Sequence, residues 1–349
     1  MRATFRLLEL QKLYPLTISR GTMSSSENLF VFLDDGARTG IGELSPATSS
    51  AWTAARGKQQ LEGFCADWDL GGRAIHETYA EMRRREIDPP AMAALDVALW
   101  DLFGKRCGQP LYRVFGLPLP TEPTSVTIGI NPPEVIRERV PEILRDCGAK
   151  CLKIKLGCPD GVERDKENFE AAREGARPFG ARLRVDANGG WSVGDAKMML
   201  AWLAERGVDY VEQPLPEGQE ADLPRIFEGR PLPIFVDESC RFSQSVPKVA
   251  GAVDGVNLKL MKCGGLTEAL RIVAAARAHG LQTMIGCMSE SSVAIAAGAH
   301  IGGLFDHIDL DSHLNLNPDP ANGAPIDLRG VIMPTDAPGH GSELVAVHA

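Results

Sequence analysis

The chain has 349 residues, of which 44% are hydrophobic, 24% charged and 6% aromatic, and this composition is typical of a folded globular protein. The formal net charge is −9 and the sequence pI is near 5.4. No run of Lys and Arg is long enough to indicate a surface for nucleic acid or membranes, and no apolar run is long enough to span a membrane.

The cysteines and the N-terminus bear on location. The eight cysteines form no Cys-x-x-Cys pair, and the first residues mix Arg and Glu with apolar residues, unlike a signal peptide. We therefore predict a cytoplasmic protein with free thiols.

Alternating apolar and polar residues open the chain. They predict a three-stranded antiparallel meander, with strands at residues 4–13, 28–33 and 39–44. The polar segment 15–27 and the turn-like segment 45–50 are predicted to be mobile loops.

Helical periodicity follows from residue 51 to about residue 115. The clearest helix is predicted at 91–107, with Pro89 near its start and Gly108 at its end. Residues 1–120 are therefore predicted to form an α+β domain.

From residue 121 onward, short β-branched runs alternate with helical patterns, which is typical of an α/β fold. Eight strands are predicted, beginning near residues 125, 153, 183, 210, 234, 255, 282 and 307. This spacing predicts a TIM-type barrel over residues 121–315, with its chemistry at the C-terminal ends of the strands.

Three of these predicted strands end in an acid. Asp186, Glu212 and Asp237 follow apolar runs that are each about one strand and one helix apart. Carboxylates converging at one edge of a sheet favour a hard divalent cation, Mg²⁺ first and Mn²⁺ as an acceptable substitute, rather than zinc. The alternative is that each acid caps the helix after it.

Two lysines end predicted strands on opposite sides of the barrel. Lys155 ends the second strand and Lys259 the sixth, so the pair would flank a ligand held over the acids. Proton abstraction on one face and delivery on the other predict a racemase or epimerase. Lys153, on the same strand face as Lys155, is expected to lower the lysine pKa by like charge. Lys262 is interpreted as a surface salt-bridge residue.

The Lys153-Ile154-Lys155 motif, the three acids and the segment 257–265 (NLKLMKCGG) resemble the enolase superfamily, and within it the muconate-lactonising-enzyme subgroup. The resemblance covers nearly the whole chain and implies a (β/α)7β barrel whose cap is completed by residues 316–349. It also implies that Lys155 and Lys259 are the two bases, Lys153 an accessory lysine, and the three acids ligands of one Mg²⁺ per subunit.

Asp309-Leu310-Asp311, on the predicted eighth strand, resembles the dipeptide epimerases, where this pattern holds the α-ammonium of the substrate. The resemblance implies epimerisation at the α-carbon of the C-terminal residue of a dipeptide, through an enediolate. The alternative is that one aspartate caps a turn before Ser312-His313.

Substrate preference is expected at two segments. Arg20 resembles the arginine that binds the glutamate carboxylate in L-Ala-D/L-Glu epimerases, and its alternative is an exposed loop residue without a ligand. Met288 and Ser289 lie in a segment that resembles the specificity region of the family, where Glu290 would favour a cationic substrate.

Other functions stay open at this point. Another activity of the subgroup, such as an N-acylamino acid racemase, o-succinylbenzoate synthase or cycloisomerase, would leave Asp309 and Asp311 dispensable. A catalytically silent metal- or peptide-binding protein would exchange no substrate proton. A homo-oligomer is possible from the sequence. His300, His307 and His313 are interpreted as structural residues.

Overall fold

The computed structural model describes residues 1–46 and 51–345. Its N-terminal part is an antiparallel sheet in the order β1-β2-β3, covered by helices. The strands are β1 Arg2–Ile18, β2 Gly21–Asp34 and β3 Thr39–Leu44, and the helices are α1 Ala54–Asp67, α2 Ile75–Arg84, α3 Pro89–Cys107 and α4 Leu111–Val114. The predicted meander and the helix with its left-handed Gly108 cap are confirmed.

The prediction of a loop at residues 15–27 is wrong. β1 and β2 continue through this segment as a long hairpin, with pairs such as Thr17 opposite Thr22. Ser and Thr fit an extended backbone, and cross-strand hydrogen bonding outweighs the polar composition that indicated a loop. The register shifts between Gln11 and Leu16, which marks a bulge. The second predicted loop, 45–50, lies largely outside the described residues.

The second part is a parallel barrel of eight strands in consecutive order, which confirms the predicted fold class. A bridge between Thr124 and Ile308 joins the first and last of these strands and closes the ring. The strands are β4 Ser125–Ile128, β5 Cys151–Lys155, β6 Arg182–Asp186, β7 Val208–Glu212, β8 Ile234–Val236, β9 Gly255–Lys259, β10 Gln282–Gly286 and β11 His307–Asp309.

Helices surround the barrel. They are α5 Pro133–Cys147, α6 Val162–Ala176, α7 Val193–Ala204, α8 Leu223–Phe227, α9 Val246–Val249, α10 Leu260–Cys263, α11 Leu266–Ala278 and α12 Ser292–His300. None of the helices in the described ranges has the length and hydropathy needed to cross a membrane.

Side-chain alternation along the strands separates two environments. Outward-facing residues such as Leu152, Ile154 and Val185 pack with the helices in the largest apolar cluster. Inside the barrel, Tyr210, Phe235 and Met284 form a separate buried cluster. The buried charged residues of β5, β7 and β9, together with Asp186 on β6, lie toward the C-terminal ends of their strands. Arg184 on β6 is also buried, but it pairs with Glu122, just before β4, at the opposite end of the barrel.

The C-terminal segment returns to the N-terminal part. Leu316 bridges Lys12, Gly339 bridges Pro110, and the backbone N–H of His340 donates to Asp101 Oδ1 at 2.9 Å. The division into residues 1–120, 121–315 and 316–349 stays a prediction. His300 and His313 are buried and bonded to backbone groups, which fits their structural interpretation.

The contact between β3 and α3 generates a prediction about stability. A Cβ atom on Gly42 would overlap the carbonyl oxygen of Ala94 on α3, whereas one on Gly63, in α1, would meet nothing within 4 Å. We expect Gly42→Ala to lower the free energy of unfolding by about 1–3 kcal/mol. The matched control Gly63→Ala should instead raise it by about 0.5–1 kcal/mol, because alanine favours the helix. Urea denaturation measures both, and equal effects would contradict this packing.

Candidate active site

The barrel brings the predicted charged residues into one buried layer. β5 and β9 occupy opposite positions in the ring of eight strands, as predicted, so Lys155 and Lys259 approach from opposite sides. Each of the following has at most 7% of its surface exposed: Lys153, Lys155, Asp186, Glu212, Asp237, Lys259 and Asp309.

Each lysine of this layer contacts carboxylates. Lys155 Nζ lies 2.6 Å from Asp186 Oδ2, and Lys259 Nζ lies 2.9 Å from Asp237 Oδ2. Lys153 Nζ lies 2.7 Å from Glu212 Oε2 and 2.6 Å from Asp309 Oδ2, and it also reaches Asp186 at 3.4 Å. Lys153 is therefore the link between the acids of β6 and β7 and the acid of β11.

Amide side chains that sequence reasoning missed orient the three acids. Asn188 donates from its backbone N–H and its side chain to Asp186, at 2.7 and 3.1 Å. Asn257 Nδ2 donates to Glu212 Oε1 at 2.7 Å, and the backbone N–H of Asp237 donates to Gln213 Oε1 at 2.8 Å. A signal was available, because Asn188 and Gln213 each lie within two residues of a predicted acid.

The interpretation of Lys262 as a surface residue is wrong. Only 2% of it is exposed, and its ammonium pairs with Asp237 and donates to the backbone carbonyls of Asp237 and Asn257. The short helix α10 follows β9 directly and turns Lys262 back toward the ends of β8 and β9. A buried ammonium needs several acceptors, and these strand ends supply them.

The charges of the layer shift the pKa values of its members in opposite directions. Burial opposes ionisation of Asp186, but Lys155 and Lys153 outweigh it and lower the pKa of Asp186 to about 2. Burial and the charge of Asp186 raise the pKa of Glu212 to about 7. Burial and the like charge of Lys153 both lower the pKa of Lys259, as expected of Lys153, but Asp237 and Glu212 outweigh them and raise it.

The acids have the right atoms for a hard cation, although their side chains face the lysines. Glu212 Oε2 and both carboxylate oxygens of Asp237 are buried, and lysine ammonium groups are their close partners. Within residues 1–46 and 51–345, no three His, Cys, Asp or Glu side chains converge closely enough to hold a metal ion together. The oxygen donors are of the type that Mg²⁺ prefers. Coordination of one ion would require the three carboxylates to turn from the lysines toward one another.

Asp309 and Asp311 lie close together at the end of the barrel, but not on one continuous strand. β11 ends at Asp309, and Asp311 precedes the short 3₁₀ turn Ser312–Asn315. The side chain of Asp311 does not cap that turn, because its Oδ2 accepts from the backbone N–H of Thr127 at 2.7 Å. Burial and Asp309 raise the pKa of Asp311 to about 6. Asp309 Oδ1 is buried without a hydrogen-bond partner.

Lys12 is a further charge near this pair that sequence reasoning did not single out. Its ammonium interacts with Asp311 and Cys287, while burial lowers its pKa. Any cation that binds at Asp311 therefore does so beside a partly buried lysine.

The predicted specificity residues separate into two groups. Arg20, Met288 and Ser289 line a cavity of about 760 Å³ above the charged layer, together with Lys155 and Lys259. Such a volume suits a small molecule.

Glu290 lies away from this cavity wall. It is buried, accepts from the backbone N–H of Met288 at 2.7 Å, and has a pKa raised to about 8 by burial. The idea that Glu290 selects cationic substrates gains no support from this position.

Arg20 lies at the tip of the β1–β2 hairpin and is engaged by the barrel. Its Nη2 lies 2.6 Å from Glu238 Oε1, and its Nη1 donates to the carbonyl of Asn188 at 3.2 Å. Glu238 follows Asp237 directly, so a carboxylate of the protein already occupies the face of the guanidinium that was expected to bind a substrate carboxylate.

Comparison with known proteins agrees with this geometry. Residues 1–116 match the family model "Mandelate racemase / muconate lactonizing enzyme, N-terminal domain", and residues 135–346 match "Enolase C-terminal domain-like". The chain belongs to this family. Membership confirms the resemblance to the enolase superfamily that the lysine motif and the three acids carry.

Individual relatives of this enolase-like chain are dipeptide epimerases. A "Hydrophobic dipeptide epimerase" from Roseobacter litoralis is 56% identical over 345 residues, covering 99% of both chains. An "L-Ala-D/L-Glu epimerase" from Bacteroides thetaiotaomicron is 34% identical, covering 98% of this chain and 87% of the relative.

A solved structure shows the same fold with ligands. The dipeptide epimerase of Enterococcus faecalis, complexed with Mg and L-Leu-L-Tyr, superposes with a TM-score of 0.90 at 31% identity, covering 98% of each chain.

The position of Lys262 generates a prediction. Lys262→Met leaves the Asp237 carboxylate short of one buried partner, and we expect the free energy of unfolding to fall by about 3–5 kcal/mol. The control is Lys248→Met on α9, because Lys248 is exposed and should change the free energy by less than about 0.5 kcal/mol. Chemical denaturation compares the two, and similar small effects would restore the surface interpretation of Lys262.

Proposed function

We propose that this protein is a dipeptide epimerase that inverts the α-carbon of the C-terminal residue, with a preference for apolar dipeptides. The observation that carries the proposal is the placement of Lys155 and Lys259 on opposite strands, facing one buried group of acids. Two bases on opposite faces of one carbon permit its reversible inversion. The 56% identity to a hydrophobic dipeptide epimerase supports this reaction and this substrate class.

We propose that Asp186, Glu212 and Asp237 hold one Mg²⁺, with Mn²⁺ as an acceptable substitute. Their hard oxygen donors and their shared burial support this assignment, as does the Mg present in the Enterococcus faecalis complex. When bound, the cation supplies positive charge that stabilises the enediolate formed as the α-proton leaves.

The residues of this chain have distinct roles in the proposed reaction. Lys155 and Lys259 exchange the α-proton, one removing it and the other returning a proton to the opposite face. Lys153 stays charged, because burial is outweighed by Asp309, Glu212 and Asp186, which raise its pKa; it therefore acts as an accessory lysine that holds these acids. Both lysines line the cavity in which the reacting carbon would lie.

Asp309 and Asp311 are proposed to bind the α-ammonium of the substrate. The unpartnered Asp309 Oδ1 and the closeness of the two carboxylates support this role. N-acylated amino acids and muconate carry no ammonium, so this pair favours a free dipeptide over the other substrates of the subgroup.

The pairing of charged residues and the apolar lining of the first cavity support a preference for apolar substrates. Arg20 is paired with Glu238, so a glutamate substrate would compete with a carboxylate that belongs to the protein. Leu16, Ile18, Trp52 and Met288 contribute apolar surface to the same cavity. The L-Ala-D/L-Glu activity expected from Arg20 is therefore the less favoured substrate choice. Cytoplasmic location and a homo-oligomeric state remain predictions.

Deuterium incorporation tests the proposed reaction. Pools of L,L-dipeptides are incubated with the protein and Mg²⁺ in D₂O, and mass spectrometry detects a gain of one deuteron at the exchanged α-carbon. We expect the gain in dipeptides with apolar residues and much less in those ending in Glu. Chelation with EDTA should abolish exchange if the carboxylates hold the cation.

Other outcomes of this screen have defined meanings. Exchange into N-acyl amino acids, with none into dipeptides, would assign the chain to another activity of its subgroup. The absence of deuterium exchange with every class of compound would indicate a binding protein instead of an enzyme.

Single lysine variants test the two-base mechanism. We expect Lys155→Ala and Lys259→Ala each to slow epimerisation by at least about 10²-fold, because each removes one of the two proton-transfer groups. Each variant should retain α-proton exchange with one stereoisomer only, and the two variants should retain opposite ones. Lys197→Ala, at an exposed position on α7, is the control and should behave like the wild type. Full epimerisation by either active-site variant would refute the two-base mechanism.

A further inference from the structure

A second cavity lies beside the first one, between the β1–β2 hairpin and the outer side of the barrel. Its volume is about 310 Å³, roughly that of ten water molecules at about 30 Å³ each. Most of its wall is apolar and comes from Tyr14, Leu16, Val126, Ile128, Ile143 and Leu314. The space is therefore large enough for one aliphatic or aromatic side chain.

The two cavities share a boundary. Leu16 lines both of them. Asp311 lines the second cavity, and its Oδ1 lies 3.7 Å from Cys287 Sγ, which lines the first. The carboxylate assigned to the substrate ammonium thus stands where the large cavity meets the small one.

The β1–β2 hairpin forms one wall of the second cavity and is held firmly against the barrel. The backbone N–H of Ile130, just after β4, donates to the carbonyl of Thr17 at 2.8 Å. A Cβ atom on Gly129 would lie only 2.9 Å from the backbone of Thr17, so the two chains approach closely there. At the rim, the guanidinium of Arg139 lies 4.7 Å from the centre of the Tyr14 ring. These contacts give the cavity a defined shape.

We propose that this second cavity binds the side chain of the N-terminal residue of the dipeptide and selects large apolar side chains there. The inference rests on the proposed function, because it takes the ammonium to be held at Asp309 and Asp311. Ammonium and side chain are attached to the same carbon, so a substrate anchored at Asp311 begins its side chain at the mouth of the cavity. Entry of an apolar side chain releases water from an apolar wall, which strengthens binding.

The mostly apolar wall disfavours charged side chains, and acidic ones most strongly. Arg139 is engaged with the Tyr14 ring at the rim, while the interior faces come from aliphatic residues of β4, α5 and the hairpin. A charged side chain would lose its hydration against these aliphatic residues, and Asp146 and Asp311, which also line the cavity, would in addition repel a carboxylate.

Ile143 on α5 provides the test, because it lines the second cavity and is absent from the lining of the first. Ile143→Trp should fill the space. We expect the KM for L-Phe-L-Leu to rise at least about tenfold, because the large apolar side chain can no longer be buried. The kcat should be nearly unchanged. The KM for L-Ala-L-Leu should change less than about threefold. Met198→Trp, at an exposed apolar position on α7, is the control and should alter neither substrate.

A second variant covers the case in which the tryptophan disturbs folding. Ile143→Ala enlarges the cavity, and we expect it to lower the KM for L-Trp-L-Leu relative to that for L-Ala-L-Leu. The inference is overturned if each Ile143 variant changes the KM by the same factor for every N-terminal residue, or leaves every KM unchanged. Absence of turnover by the wild-type protein with every dipeptide would instead overturn the proposed function, so the two failures are distinguishable.

Discussion

Four lysines and four carboxylates are buried together at one end of the barrel, and the site depends on the balance of their charges. They are Lys153, Lys155, Lys259 and Lys262 with Asp186, Glu212, Asp237 and Asp309. A buried ion destabilises the fold unless an opposite charge pairs with it. Loss of one group therefore leaves its partner as an unpaired buried charge, with the full cost of its desolvation. If these carboxylates hold a divalent cation, at least one of them would exchange its ammonium partner for the cation.

Much of this arrangement could be predicted from the sequence, because parallel strands bring their C-terminal ends to one edge. Spacing along the chain therefore located Asp186, Glu212 and Asp237, and the ring of eight strands placed Lys155 opposite Lys259. These predictions need only strand order and side-chain alternation, which the pattern of apolar residues carries directly.

The failures have a different physical origin. Lys262 lies on the short helix α10 after β9, so side-chain alternation along the strand does not determine where its ammonium lies. The hairpin at residues 15–27 is polar by composition, yet its backbone pairs across the two strands. Asn257 acts through a side-chain hydrogen bond to Glu212, 45 residues away, which only the folded chain brings within reach. Tertiary contacts decide all three.

The long first strand has a consequence for how substrate preference changes. The bulge between Gln11 and Leu16 sets the pairing register of the residues from Leu16 to the hairpin tip. This stretch includes Leu16, which borders both cavities, and Arg20, which contacts Glu238. Removing one residue at the bulge would exchange the inner and outer faces of this stretch. Under the proposed function, this continuous hairpin borders the sites of both dipeptide residues, so insertions or deletions in it would alter recognition of both residues in a single step.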